Sequence, residues 1–189
     1  MVLAYAIIGL IILALLLQRD LSRIGHLSFK GGLWLLIMVV GLFVVQALFV
    51  LYQPGQNVWQ MILLILSQLA LLLILMLNRS MPGIKLFALG IVLNLVVMVA
   101  NGGWMPITPE TYQFVYPGQD APLYTRPFSS KNIVLPQAET KFWILSDMIP
   151  LSLPGDRTAI SIGDIFLVVG IGQFVFLVTS PQKDIAPYL

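Results

Sequence analysis

Two carboxylates, Asp147 and Asp164, are the residues of this chain best placed to do chemistry. Both stand beside apolar sequence, in WILSDMIP and SIGDIF. They are 17 residues apart, and the stretch between them holds Pro150, Pro154 and Gly155, which can turn the chain and bring the acids face to face. Two carboxyls that share one proton supply the acid and base of aspartic proteolysis, because like charges ~3 Å apart cannot both ionise. Each acid also has a structural reading. Ser161-Ile162-Gly163-Asp164 fits the capping pattern, a serine followed three residues later by an acid at the head of an apolar helix, where the helix dipole favours an ionised carboxylate. Asp147 reads as a surface acid, and Arg157 or Lys131 can pair with either one.

The elements that must position these acids are set by composition. The chain has 189 residues, of which 59% are hydrophobic and 10% charged, and its mean hydropathy is +0.95. Those values belong to the membrane class. Apolar runs over 2–17, 33–52, 58–78, 84–100 and 162–179 predict five transmembrane helices in an all-α membrane protein, one integral domain over 1–189. The first run has its basic residues after it (Arg19, Arg23, Lys30), unlike a cleaved signal peptide, so it reads as a retained helix. One long, partly ordered extracytoplasmic loop is left, 101–161. Within it, Tyr112 to Tyr116 reads as a short strand between turns, and Gln137 to Met148, following Pro136, as a short interfacial helix.

Arg19, Arg23, Lys30, Arg79, Lys85 and Lys183 fall on one side if the helices alternate, and the positive-inside bias makes that side cytoplasmic. The N-terminus is then outside and the C-terminus inside, and the loop carrying both acids faces outward. Trp34 near the inner face, and Tyr52, Trp59 and Trp104 near the outer one, suit aromatic belts. Gln46, Gln68, Asn94 and Gln173 place one amide in each of the last four helices. They read as glue between helices or as a polar lining for a lipid head group or quinone. Gly163, Gly170 and Gly172 permit close helix approach. A net charge of +2 gives nucleic-acid binding no support. The absence of cysteine removes disulfides, thiolate metal sites and a cysteine nucleophile, and the single histidine, His26, rules out a histidine-rich metal site within one chain. No cofactor is expected.

Four motifs, Asn101-Gly102-Gly103-Trp104-Met105-Pro106, Ser130-Lys131-Asn132, Leu145-Ser146-Asp147-Met148-Ile149-Pro150 and Ser161-Ile162-Gly163-Asp164, give the chain a family likeness. It resembles an uncharacterised family of bacterial multi-pass membrane proteins, domain of unknown function 5317. That resemblance implies a bacterial inner-membrane protein and no activity. A partial likeness is carried by Trp143-Ile144-Leu145-Ser146-Asp147 and Ser161-Ile162-Gly163-Asp164-Ile165, which are similar to the end of lipoprotein signal peptidases. It implies Asp147 and Asp164 as a catalytic pair, with Asn101 or Asn132 contacting substrate. The expected function is that of a non-catalytic accessory or scaffolding subunit, docked onto other membrane subunits and surrounded by lipid. The alternatives are an intramembrane aspartic hydrolase using Asp147 and Asp164, with Asn132 or Lys131 orienting substrate, and a lipid or quinone binder. Asn101, Lys131, Asn132 and Arg157 are the candidate binding residues.

Overall fold

The computed structural model describes residues 2–128 and 130–180, so Lys183 of the expected inner tail lies outside the described residues. The fold is mostly helical. In chain order the helices are α1 (Val2–Leu16), the single turn α2 (Ser22–Gly25), α3 (Gly32–Tyr52), α4 (Val58–Leu77), α5 (Ile84–Ala100), α6 (Pro109–Val115) and α7 (Ile162–Val178). Trp34–Tyr52 and Val58–Leu77 are long and apolar enough to cross a membrane, and Tyr5–Leu16, Ile84–Ala100 and Ile162–Val178 are shorter apolar helices.

Local chemistry sets the ends of these helices. The Asn57 side chain accepts from Trp59 N at 2.9 Å, and Gln60 Oε1 accepts from Asn57 N at 3.2 Å, a reciprocal cap that starts α4. At its other end Asn78 Nδ2 donates to Ile74 O and Lys30 O, while Lys30 N donates back to Asn78 Oδ1, so the loop before α3 is tied to the end of α4. Gly83, at φ +77°, turns the chain into α5.

The long helices form a curved row in which α3 packs on α4, α4 on α5, α5 on α7 and α7 on α1. Its tightest seam joins α5 and α7, and glycine makes it possible. Gly83 faces Gly170 and Gly90 faces Gly163. Each pair is separated by seven residues along its helix, about two turns or ~10.5 Å, so two antiparallel helices meet glycine to glycine at both levels. A Cβ on Gly90 would lie 2.6 Å from Gly163 O, and one on Gly170 2.5 Å from Phe87 N. Both obstacles are backbone, which cannot swing aside.

The 101–161 segment, expected as a partly ordered loop with one short strand and one short helix, holds two small sheets. It contains β1 (Met105–Ile107) paired in parallel with β2 (Asn132–Val134), and a hairpin of β3 (Ile149–Leu153) with β4 (Asp156–Ile160). The all-α expectation is corrected accordingly. The strand expected at Tyr112–Tyr116 is instead the end of α6. Thr108 Oγ1 accepts from Thr111 N at 3.2 Å, Pro109 fills the first turn and Glu110 faces the helix dipole. The helix expected over 137–148 is broken into two 3₁₀ turns, Gln137–Glu139 and Trp143–Leu145. Thr140 Oγ1 bonds back to Pro136 O, and Phe142 sits at φ 53°, which ends any continuous helix. Trp104, expected in an aromatic belt, is 3% exposed in the core that joins Leu64 and Val97 to Met105 and Ile133.

Gly90→Ala should therefore cost about 1–3 kcal/mol, the cost typical of overpacking. Gly41→Ala, in α3 with nothing within 4 Å of the new Cβ, should be neutral or slightly stabilising. Thermal unfolding of the two variants in detergent micelles checks this, and equal melting temperatures would refute the glycine seam.

Candidate functional site

β1 is the hub of the candidate site. On one side, Met105 N donates to Lys131 O at 3.2 Å and Met105 is in register with Asn132; on the other, Asp147 N donates to Pro106 O at 3.1 Å. Three chain-distant motifs thus meet across one three-residue strand. Asp147 Oδ2 accepts from Asn132 Nδ2 at 2.7 Å and lies 3.7 Å from Lys131 Nζ. Asp147 is 3% exposed, and its Oδ1 is buried without a hydrogen-bond partner among the described residues.

Asp164 stands at the start of α7 in a closed set of hydrogen bonds. Its backbone N donates to Ser161 Oγ at 3.0 Å and its Oδ2 accepts from Ser161 N at 3.1 Å, which is the predicted capping box. Its Oδ1 accepts from Asn94 Nδ2 at 3.0 Å, and Ser161 Oγ donates to Asn94 Oδ1 at 2.8 Å. The two carboxyls feel one another's charge, yet no hydrogen bond joins them among the described residues. Lys131 interacts with both.

Burial pushes the Asp147 carboxyl above the ordinary carboxylate range, and the negative charge of Asp164 adds to the rise, against the pull of Lys131 and Asn132. For Lys131, desolvation opposes the charged form, but the two carboxylates outweigh it and hold the ammonium above its ordinary range. These directions agree: a cation between two acids stays charged, and the more deeply buried acid is the easier one to protonate. The Lys131 side chain remains 43% exposed, and Lys131 borders two cavities.

The first is a cleft of about 590 Å³ between the end of α3 and the elements α6, β2 and β4. Lys131, Asn132 and Arg157 all line it. The second, of about 210 Å³, lies within the row of helices, with Asn94, Lys131 and Asp164 at its polar end and Leu3, Phe43 and Leu71 along its walls. Three of the four expected binding residues therefore share one cleft. Asn101 does not join them. It caps α5 and clamps Lys141, accepting from Lys141 N at 2.9 Å and donating to Lys141 O at 2.9 Å. Arg157 pairs with neither acid, and its guanidinium lies 5.5 Å from the Phe114 ring centroid.

The amides divide. Gln46 Oε1 accepts from Ser67 Oγ at 2.8 Å, joining α3 to α4, and Asn94 joins α5 to α7. Gln173 is exposed, whereas Gln68 lines the inner cavity and has no hydrogen-bond partner among the described residues.

Sequence reasoning missed Arg126. It is 5% exposed, and its guanidinium donates to Gly55 O, Val50 O, Ser130 O and Gln53 O while lying 5.0 Å from the Trp104 ring centroid. It ties the 101–161 segment to the α3–α4 turn through carbonyls left open where α3 ends. Its sequence signal was weak, a single cation in a proline-rich stretch before Pro127.

A family-level sequence match spans residues 26–177 and is described as a family of unknown function (DUF5317). The chain belongs to this family. The chain is also similar to an uncharacterised protein of Thermotoga maritima, 35% identical over 136 residues, which cover 68% of this chain and 70% of the relative. No solved structure matches the chain. The region matched to DUF5317 contains β1, Lys131, both acids and Arg126, so the whole candidate site lies inside it.

Because folding raises the Asp147 pKa, the folded state favours the protonated acid. Its contribution to stability is fully present below the ordinary carboxylate range and is lost as pH rises through the raised value. The melting temperature should accordingly fall over that window, and Asp147→Asn, which keeps the shape but does not titrate, should flatten the fall. An unchanged pH profile in the variant would show that Asp147 does not titrate in the folded protein. Arg126→Met should cost about 3–5 kcal/mol, since it strands several carbonyls. Chemical unfolding measures that loss.

Proposed function

We propose that this DUF5317 protein is a non-catalytic, five-span protein of the bacterial inner membrane, acting as an accessory subunit that docks onto a larger membrane assembly. The observation that carries the non-catalytic reading is the occupancy of the two acids. Asp164 has both oxygens in the Ser161 and Asn94 bonds, and Asp147 has Oδ2 on Asn132 and Lys131. An aspartic dyad needs two carboxyls in hydrogen-bond contact with each other and with a water. Here each acid has a separate structural partner, and a lysine serves both.

The five-span reading is supported by the two long apolar helices and by the three shorter ones packed in the same row. Their outward faces carry exposed apolar side chains such as Leu16, Val40, Leu73 and Val99, which a hydrocarbon solvent would cover. The basic residues Arg19, Arg23, Lys30, Arg79 and Lys85 border the ends opposite the 101–161 segment, which supports an N-outside orientation. Docking is supported by Leu123, Tyr124 and Phe128, exposed at 44%, 52% and 65% on the 101–161 segment rather than on the spanning helices.

The chain lacks cysteine, so single-cysteine variants report topology cleanly. Asp120→Cys should react with a membrane-impermeant maleimide in intact cells and His26→Cys only after lysis; the reverse pattern would invert the orientation. After gentle solubilisation of native membranes, the protein should migrate in native electrophoresis well above a 20.9 kDa chain with its detergent. Migration as a monomer would overturn the accessory role. Cleavage of a lipid-anchored peptide by the purified protein, abolished by Asp147→Asn, would overturn the non-catalytic reading.

A further inference from the structure

The cleft and the inner cavity meet at Lys131, which lines both. We infer that together they bind an amphiphile with a neutral, hydroxyl-bearing head group, of the glycerol or sugar class, and an apolar chain. This rests on the five-span placement proposed above.

Shape comes first. The cleft of about 590 Å³ is of the size that holds small polar ligands. The inner cavity is walled by Leu3 of α1, Phe43 of α3, Leu71 of α4 and Leu167 of α7, and α1 and α3 are the two ends of the curved row. An apolar chain lies along those walls and leaves between the two end helices, where only hydrocarbon would face it.

Charge then selects the head group. The cleft carries Lys131, Arg157 and Asp156, the inner cavity carries Asp164, and Asp147 sits behind Lys131. Lys131 is already shared by Asp147 and Asp164, and Asp156 lies in the same lining as Arg157, so the site's positive charges are offset and a phosphate or carboxylate gains little there. A quaternary ammonium would approach Lys131 and Arg157, which penalises it as well. Hydroxyls, which both donate and accept, suit what the site leaves open. Gln68, which lines the inner cavity, is half-buried and makes no side-chain hydrogen bond among the described residues. Gln46 uses its Oε1 on Ser67, and the Arg157 guanidinium lies over a ring and pairs with no acid among the described residues. At membrane depth an unpaired amide is costly unless something bonds to it, and a hydroxyl at the inner end of the head group, past Lys131, supplies that bond.

The test uses the full chain in phosphatidylcholine nanodiscs with three photoreactive probes of equal acyl chain: a monoacylglycerol, a lysophosphatidate and an alkyl trimethylammonium. Peptide mass spectrometry should place monoacylglycerol adducts on residues 46–51 and 112–116. Unlabelled monoacylglycerol should displace them, and each charged probe should label those peptides about tenfold less. Gln68→Leu should reduce labelling about three- to tenfold, the weight of one buried hydrogen bond. This variant removes no contact that the fold uses. Labelling by lysophosphatidate or the ammonium equal to or above that by monoacylglycerol overturns the neutral head group. Absence of displaceable labelling, or labelling unchanged in Gln68→Leu, overturns the site in a protein that has inserted. A chain that fails to enter nanodiscs overturns the five-span reading and the site with it.

Discussion

The constraint on which the rest of this structure depends is the contact between α5 and α7. Two glycines on each helix, spaced seven residues apart, let the backbones touch at Gly83–Gly170 and Gly90–Gly163. At that separation Asn94, one turn beyond Gly90, reaches both Ser161 and Asp164. The helix cap and the helix contact are thus one unit. The same contact sets where β4 ends and α7 begins, and therefore how the β3–β4 hairpin stands over the helix row. A larger side chain at any of these glycines would open the seam and pull Asn94 away from the carboxylate it satisfies.

A second polar arrangement fastens the 101–161 segment to the helices from the opposite side. Arg126 spends its donors on carbonyls around the α3–α4 turn and on Ser130 O, and Gln60 Nε2 donates to Phe49 O and Gln53 O beneath it. Buried backbone carbonyls at a helix end need donors, and here a cation and an amide from elsewhere in the chain provide them. Between these two anchorages lies β1, a three-residue strand that brings Lys131 and Asp147 together. Lys131 then sits where the acids, the cleft and the inner cavity converge. Removing the acids would leave a lysine with no counter-charge at the mouth of the inner cavity.

Much of the frame was legible in the sequence. Long apolar runs are read from composition alone, and the observed helices end within a residue or so of the runs over 33–52, 58–78, 84–100 and 162–179. The Ser161–Asp164 cap was legible because it is local, four residues whose bonds are made within one helical turn. The 101–161 segment was misread for the same reason in reverse. Tyr112–Tyr116 has strand-like residues, but the helix there is decided by Thr108 and Pro109 upstream. The helix expected over 137–148 is undone by Phe142 in a left-handed conformation and by Thr140 bonding back to Pro136 O, neither of which has a strong sequence signature. Arg126 and Trp104 looked like a loop cation and a belt aromatic, and they are a buried pair.

The sequence by itself determined the apolar helices, the side on which basic residues gather, the helix cap at Asp164 and the residue types available to a site. Those features depend on neighbours within a few positions, and local spacing suffices to read them. The tertiary structure alone decided that Lys131 and not Arg157 meets Asp147, that Asn101 stands apart at Lys141 while Lys131, Asn132 and Arg157 share a cleft, and that Gln68 faces a cavity while Gln173 is exposed. Each of these joins residues brought together by β1 or by the curvature of the helix row. Such pairings are selected by which buried polar groups can satisfy one another at once. That selection is made across the whole fold, and no stretch of sequence holds both partners.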